Sequence, residues 1–300
     1  MSITADQALD AYEAARYRLP KTTPKRGAAE RAVSLSGIAD QFDVFLLDAF
    51  GVLNVGESLI PGASKSVAEL QSGGKRVLVV SNAASVDSTT LLKKYRSLGF
   101  SFEREDIVTS RETLSAMMNG NRERLWGVVS PAAADLSDIG LARTRLLEDD
   151  PEPYEACESV LLIGTGNWTD ERQALLEKAL QRQNRPVFVA NPDIVAPRET
   201  GFSVEPGYVA HRLADVADIE PEFFGKPFAN IFDLAFERLG DLDRSRVVMV
   251  GDSLHTDILG ARAYGIAAAL IPGFGFFAGG SVDQAIARTG IQPDFVVDRP

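Results

Sequence analysis

Short, unbroken apolar runs recur along this chain: Val44-Phe45-Leu46-Leu47, Val77-Leu78-Val79-Val80, Val160-Leu161-Leu162-Ile163, Val187-Phe188-Val189-Ala190, Val247-Val248-Met249-Val250, Ala267 to Ile271 and Phe295-Val296-Val297. A strand with one wet face alternates apolar and polar residues, whereas continuous β-branched runs belong to strands covered on both faces. Between the runs lie stretches with helical spacing, over 63–71, 89–98, 170–183, 229–239 and 256–264. Strand and helix in alternation at these distances predict a parallel α/β sheet. An amphipathic helix is expected over 5–17, followed by a polar loop from Leu19 to Gly27. At 300 residues, the chain is long enough for about two domains. It carries no repeat of fixed period.

Charge and rare residues narrow the function classes. The net charge of -11 opposes binding to phosphate backbones, and the longest basic stretch is the short Lys21 to Arg26, so no nucleic-acid partner is expected. A single cysteine, Cys157, excludes a disulfide framework or a cysteine zinc cluster, and two histidines, His211 and His255, are too few for a multi-histidine metal site. His211 is expected to face solvent or a helix packing surface. No charge occurs between Arg262 and Asp283, a span of membrane-crossing length, but Gly265, Pro272, Gly273, Gly275, Gly279 and Gly280 punctuate it. It reads as a buried strand and a glycine-rich loop, with no membrane partner. Met1 to Asp6 lacks a basic-then-apolar leader pattern, so the expected location is the cytoplasm.

In open α/β sheets, ligands bind beyond the carboxyl ends of the strands. The residues there are Asp48-Ala49-Phe50-Gly51, Ser81-Asn82, Asn191-Pro192-Asp193 and Gly251-Asp252-Ser253-Leu254-His255-Thr256-Asp257, and Gly225-Lys226-Pro227 precedes a helix. Asp48, Asp252 and Asp257 can share one hard divalent cation, since Mg²⁺ takes oxygen ligands. The Ser81 hydroxyl, loop amides near Asn82 and the Lys226 ammonium can hold the remaining oxygens of a phosphoryl group. A remaining carboxylate can attack phosphorus and form an aspartyl-phosphate. Each piece alone has a plainer reading: aspartate and Ser-Asn favour turns, a lysine is commonly a surface charge, and Asp257 suits the first turn of a helix. Their joint order after the right runs is what points to phosphoryl transfer.

The order Asp48, Ser81-Asn82, Lys226, Asp252/Asp257 resembles the four motifs of haloacid dehalogenase-like (HAD) hydrolases. The long gap from Asn82 to Lys226 resembles the inserted C2 cap of subclass IIA, the NagD-like phosphatases. Ile107-Val108-Thr109-Ser110, Asn191-Pro192-Asp193, Gly225-Lys226-Pro227 and Gly251 to Ala261 add to the likeness, which spans about Phe42 to Val297. It implies a Rossmannoid parallel-sheet core, here 1–115 and 207–300, with a C2-type α/β cap at 116–206. It also implies Mg²⁺ held by Asp48, Asp252, Asp257 and the Phe50 backbone carbonyl, and hydrolysis of small phosphate monoesters of the sugar-phosphate or nucleotide class. Asp48 would be the nucleophile, with Ser81 and Lys226 as its catalytic partners and Asn82 beside them on the phosphate. A small phosphorylated metabolite is the expected partner, and a homodimer is a possible assembly. The cap would set specificity, with Trp168, Asp193 and Glu205 as candidates.

One position departs from the family. Its hydrolases usually carry a second aspartate two residues after the nucleophile, which protonates the leaving oxygen and then activates water; here that residue is Phe50. Loss of a general acid/base typically costs about 10²–10⁴-fold in rate. His255, Glu57 and Glu205 are the positional substitutes. Phe50 also keeps open a catalytically weak or inactive relative that binds a phosphorylated metabolite or a protein partner. A dinucleotide site is a further alternative, because Gly273-Phe274-Gly275-Phe276-Phe277-Ala278 fits G-x-G-x-x-A, although too little chain follows for a second half. Lys75 and Lys226 follow glycine but precede Arg and Pro, which excludes a P-loop.

Overall fold

The computed structural model describes residues 3–23, 27–131, 134–198 and 201–300. Met1, Ser2 and the Pro24, Lys25 and Arg26 part of the basic stretch lie outside the described residues. Every apolar run named above lies largely within a strand. Seven strands form one sheet in the order Glu30–Ser34, Phe295–Arg299, Ala267–Leu270, Val247–Gly251, Val44–Leu47, Arg76–Ser81, Ile107–Thr109, and all neighbours run parallel. Apolar clusters cover both faces, one built on Leu46, Leu78 and Met249 and the other on Phe45, Val79 and Val250. This double burial is why the runs are continuous.

From Val44–Leu47 the chain winds outward through Arg76–Ser81 to Ile107–Thr109. After the insertion it starts again at Val247–Gly251 and winds the other way to Phe295–Arg299. The switch point therefore lies between Val44–Leu47 and Val247–Gly251, where Leu47 pairs with Val250. Asp48 and Asp252 leave the sheet there, side by side. This is the crevice that doubly wound sheets use for ligands.

The insertion carries a second parallel sheet, in the order Glu222–Phe223, Val187–Val189, Ser159–Leu162, Leu125–Val129, Arg143–Leu146. It too has an apolar cluster on each face. The cap runs further than the expected 116–206. The helix Pro206–Ala217 sends Val209, Ala210 and Leu213 into the cap cluster with Leu176 and Leu180, and Glu222–Phe223 adds an edge strand beside Val187–Val189. Residues 207–223, expected in the core, thus complete the cap, and the chain returns to the core near Gly225.

The helix at the N-terminus spans Ala5–Ala14, with a capping box between Thr4 and Gln7, and a 3₁₀ turn continues it over Arg16–Arg18. Ala8, Leu9 and Tyr12 face the core cluster. Among the described residues no helix is long and apolar enough to cross a membrane. The uncharged stretch after Arg262 forms the Ala267–Leu270 strand and then a loop.

Candidate active site

Three carboxylates and one ammonium meet at the switch point. Asp48, Asp252 and Asp257 each offer an oxygen within 4.8 Å of the others. Lys226 Nζ lies 2.6 Å from Asp48 Oδ1 and 2.8 Å from Asp257 Oδ1. The Asp48 backbone amide donates to Val250 O, and Ala49 N donates to Asp48 Oδ1 at 2.7 Å. Asp257 Oδ2 accepts from Asp252 N and Ser253 N, so the turn after Val247–Gly251 closes on that carboxylate. Asp252 Oδ2 accepts from Phe276 N at 2.7 Å. A Cβ on Gly275 would lie 1.8 Å from the same oxygen, so the close approach of this loop requires glycine. The Gly273–Ala278 loop thus braces an acid of this cluster; the helix that follows, Val282–Thr289, has only eight residues. A dinucleotide site gains no support from it.

Charge is unbalanced here. Burial pushes the Asp48 carboxyl up to about 7, the Lys226 ammonium pulls the other way, and the Asp257 charge adds to the rise. Burial, then Asp257 and Asp48, hold Asp252 well above the usual carboxylate range. Burial works against the Lys226 ammonium, yet Asp257 and Asp48 together keep it above its ordinary value. Three acids facing one cation leave buried negative charge unmet, and such charge must be neutralised by protons or by a second cation. An all-oxygen donor set at this spacing suits a hard divalent ion such as Mg²⁺.

Asn82 organises the opposite side. Its Oδ1 accepts from Lys226 N at 2.7 Å and Ser110 Oγ at 2.9 Å, and its Nδ2 donates to Asp193 Oδ1 at 2.8 Å and Lys226 O at 2.9 Å. All four capacities of the amide are used, which fixes the Lys226 backbone. At Gly225, with φ of 126°, a Cβ would lie 2.0 Å from Ser110 Oγ. Ser81 Oγ accepts from Ala83 N at 3.2 Å. Burial raises the Asp193 carboxyl well above its usual range.

A cavity of about 330 Å³ opens above this cluster, lined by Asp48, Phe50, Ser81, Asn82, Asp193, Arg198, Glu205 and Asp252 among others. Lys226 and Asp257 lie buried beneath it. Trp168 lines instead a neighbouring cavity of about 560 Å³, which shares Ser85, Arg198 and Glu205 with the first. Its Nε1 donates to Gln173 Oε1, and its ring packs on the cap cluster, so it is mainly a packing residue facing the outer cavity.

Of the positional substitutes for the missing aspartate, one lies away from the cavity and one is held in an exposed ion pair. His255 is buried, stacked on Tyr12 with ring centroids 4.7 Å apart, and its Nε2 lies 2.6 Å from Glu13 Oε1; it points to the N-terminal helix and does not line the cavity. Glu57 does line the cavity, but it is exposed and paired with Lys94 at 2.8 Å. Glu205 is buried in the wall common to both cavities. His211, expected at solvent or a packing surface, is buried beside Phe223 in the cap.

Sequence reasoning missed Arg198 and Tyr12, both of which line the cavity. Neither follows one of the long apolar runs or stands in a spacing that marks a site. The Arg198 guanidinium lies 5.4 Å from the Phe50 ring centroid, and Tyr12 Oη accepts from Ile194 N at 3.0 Å.

Residues 45–140 match the family model described as haloacid dehalogenase-like hydrolase, and residues 223–299 match one described as HAD-hydrolase-like. The chain is 28% identical to a human glycerol-3-phosphate phosphatase, over 91% of this chain and 92% of that protein. A possible sugar phosphatase of the HAD superfamily from Cytophaga hutchinsonii superposes with a TM-score of 0.77 at 24% identity, covering 90% of this chain and 98% of the other. A glycerol phosphate phosphatase from Mycobacterium tuberculosis, solved in complex with magnesium, gives a TM-score of 0.67 at 23% identity, covering 87% of this chain and 76% of the other.

Proposed function

The chain belongs to the haloacid dehalogenase-like hydrolases, in the NagD-like subclass IIA, and from that premise we propose that it hydrolyses small phosphate monoesters through an aspartyl-phosphate on Asp48. It is a phosphatase of that family. The observation that carries the mechanism is the meeting of Asp48, Asp252, Asp257 and Lys226 at one switch point. Asp48 attacks phosphorus in line with the leaving oxygen. Asp48, Asp252 and the Phe50 carbonyl would hold Mg²⁺, with Asp257 joining directly or through water. When bound, the ion supplies positive charge against the phosphoryl oxygens. Lys226 opposes the charge on the remaining oxygens, and Ser81 and the amides near Asn82 donate to them, as a loose in-line transition state requires. Cavities of about 330 and 560 Å³ suit substrates of sugar-phosphate, glycerol-phosphate or nucleotide size.

Phosphate release from p-nitrophenyl phosphate and from a panel of phosphorylated metabolites, with and without Mg²⁺, tests this reading. Turnover is expected to require Mg²⁺, to vanish in Asp48→Asn, and to fall by about 10²–10³-fold in Lys226→Ala. Equal turnover in Asp48→Asn and wild type would remove Asp48 as the nucleophile. No turnover on any substrate, with metabolite-dependent thermal stabilisation retained, would favour the binding relative that Phe50 suggests.

A further inference from the structure

We propose that Glu205 supplies the proton that Phe50 cannot, acting as general acid on the leaving oxygen and then as general base on water. The inference rests on the phosphatase reading above and assigns its missing proton donor. Glu205 stands in the wall shared by both cavities, where a leaving group passing Phe50 toward the outer cavity would meet it. The Arg198 guanidinium joins the two positions: its carbon lies 5.4 Å from the Phe50 ring centroid, and its Nη2 donates to Glu205 Oε1 at 3.0 Å. Ser203 Oγ donates to the same oxygen at 2.5 Å, whereas among the described residues Oε2 receives only Asn191 Nδ2 at 3.2 Å. Oε2 is therefore the atom with capacity left for a proton. Burial raises this carboxyl above its usual range, against the pull of Ser203 and Arg198, so it holds a proton closer to neutral pH.

The other acids facing the cavity serve elsewhere. Asp193 is tied to Asn82 Nδ2 beside Lys226, and Glu57, at the solvent-exposed part of the lining, is paired with Lys94. In the first step the Asp48 carboxylate forms a bond to phosphorus as the bond to the leaving oxygen breaks, and that oxygen takes the Glu205 proton. In the second, the Glu205 carboxylate takes a proton from water as the water oxygen bonds to phosphorus. The bond to Asp48 then breaks, releasing phosphate and restoring both carboxyl groups.

The test is leaving-group dependence. An alkyl phosphate such as glycerol 3-phosphate needs a proton on departure; p-nitrophenyl phosphate leaves as a stabilised phenolate and does not. In Glu205→Gln, kcat/KM for the alkyl substrate is expected to fall by about 10²-fold or more, with kcat/KM for the aryl substrate within a few-fold of wild type, while kcat falls on both because water activation is common to them. The alkaline limb of the alkyl pH profile should disappear. Glu205→Asp, which keeps a carboxyl but withdraws it, should show a smaller loss of the same kind. Equal losses of kcat/KM on both substrates, no loss on either, a wild type inert to alkyl phosphates, or a selective alkyl loss in Asp193→Asn but not Glu205→Gln would each overturn the assignment. Asp48→Asn separates the two levels: if it stays active, the nucleophile is wrong, whatever Glu205 does.

Discussion

At Phe50 an aromatic ring occupies the position where the family resemblance implies an acid, and its surroundings fit a ring. Lys94 Nζ lies 5.6 Å and the Arg198 guanidinium 5.4 Å from its centroid, both within cation–π range. Another single side chain makes the stability of the fold sensitive to pH. His211 is buried in the cap, neither ring nitrogen hydrogen-bonded to any of the described residues, 5.0 Å from the Phe223 ring. Burial, reinforced by Arg18 and partly opposed by Asp215, pulls its pKa down to about 4. The folded protein thus keeps it neutral where the unfolded chain, near 6.5, already takes a proton. Its contribution is present above about pH 6.5 and is lost as pH falls toward 4, to a total of about 3 kcal/mol. Urea denaturation should show wild type losing stability over that window more steeply than His211→Phe; parallel slopes would contradict it.

Among elements, the N-terminal helix does more than extend the core. Tyr12 Oη accepts from the backbone amide of Ile194, just before the Val195–Pro197 strand, its ring stacks on His255 of the acid-bearing turn, and it lies 6.2 Å from Phe276. Tyr17 and Arg18 reach Asp215 on the cap helix Pro206–Ala217. Tyr12→Phe should cost about 1–3 kcal/mol, since it leaves a buried N–H unpaired while keeping the ring. Chemical denaturation measures this, and an unchanged midpoint would show that the bond is not needed. This helix was legible from its spacing, but its partners were not: an amphipathic stripe says that a face is covered and not by what. The same limit explains the cap boundary, because Val209, Ala210 and Leu213 would fit either sheet. Strands buried on both faces were readable as runs, and the helix Ala229–Leu239 lies where spacing put it. Glu30–Ser34 and Arg143–Leu146 are sheet edges with mostly exposed, polar residues, so no apolar run marked them. Asp48, Ser81, Asn82 and Asp252 were legible because each directly follows or ends such a run. Arg198 lies just beyond the short Val195–Pro197 strand of a two-stranded hairpin, which carries no such signal.

Across the whole molecule, the fold brings together segments that the chain keeps far apart. Asp48 and Asp252 are adjacent only because the sheet winds both ways from its middle, and Lys226 joins them only after the cap is complete. The cap then closes the cavity with Asp193, Arg198 and Glu205, so the cavity is lined from both the sheet and the cap. The central claim is that Asp48 carries the phosphoryl group. Acid quenching of the enzyme during turnover of p-nitrophenyl phosphate with Mg²⁺, followed by peptide mass spectrometry, should find a phosphoryl group on the Asp48 peptide, and none without Mg²⁺ or in Asp48→Asn. Phosphate release at full rate with that peptide never modified, and with Asp48→Asn still active, would contradict the account.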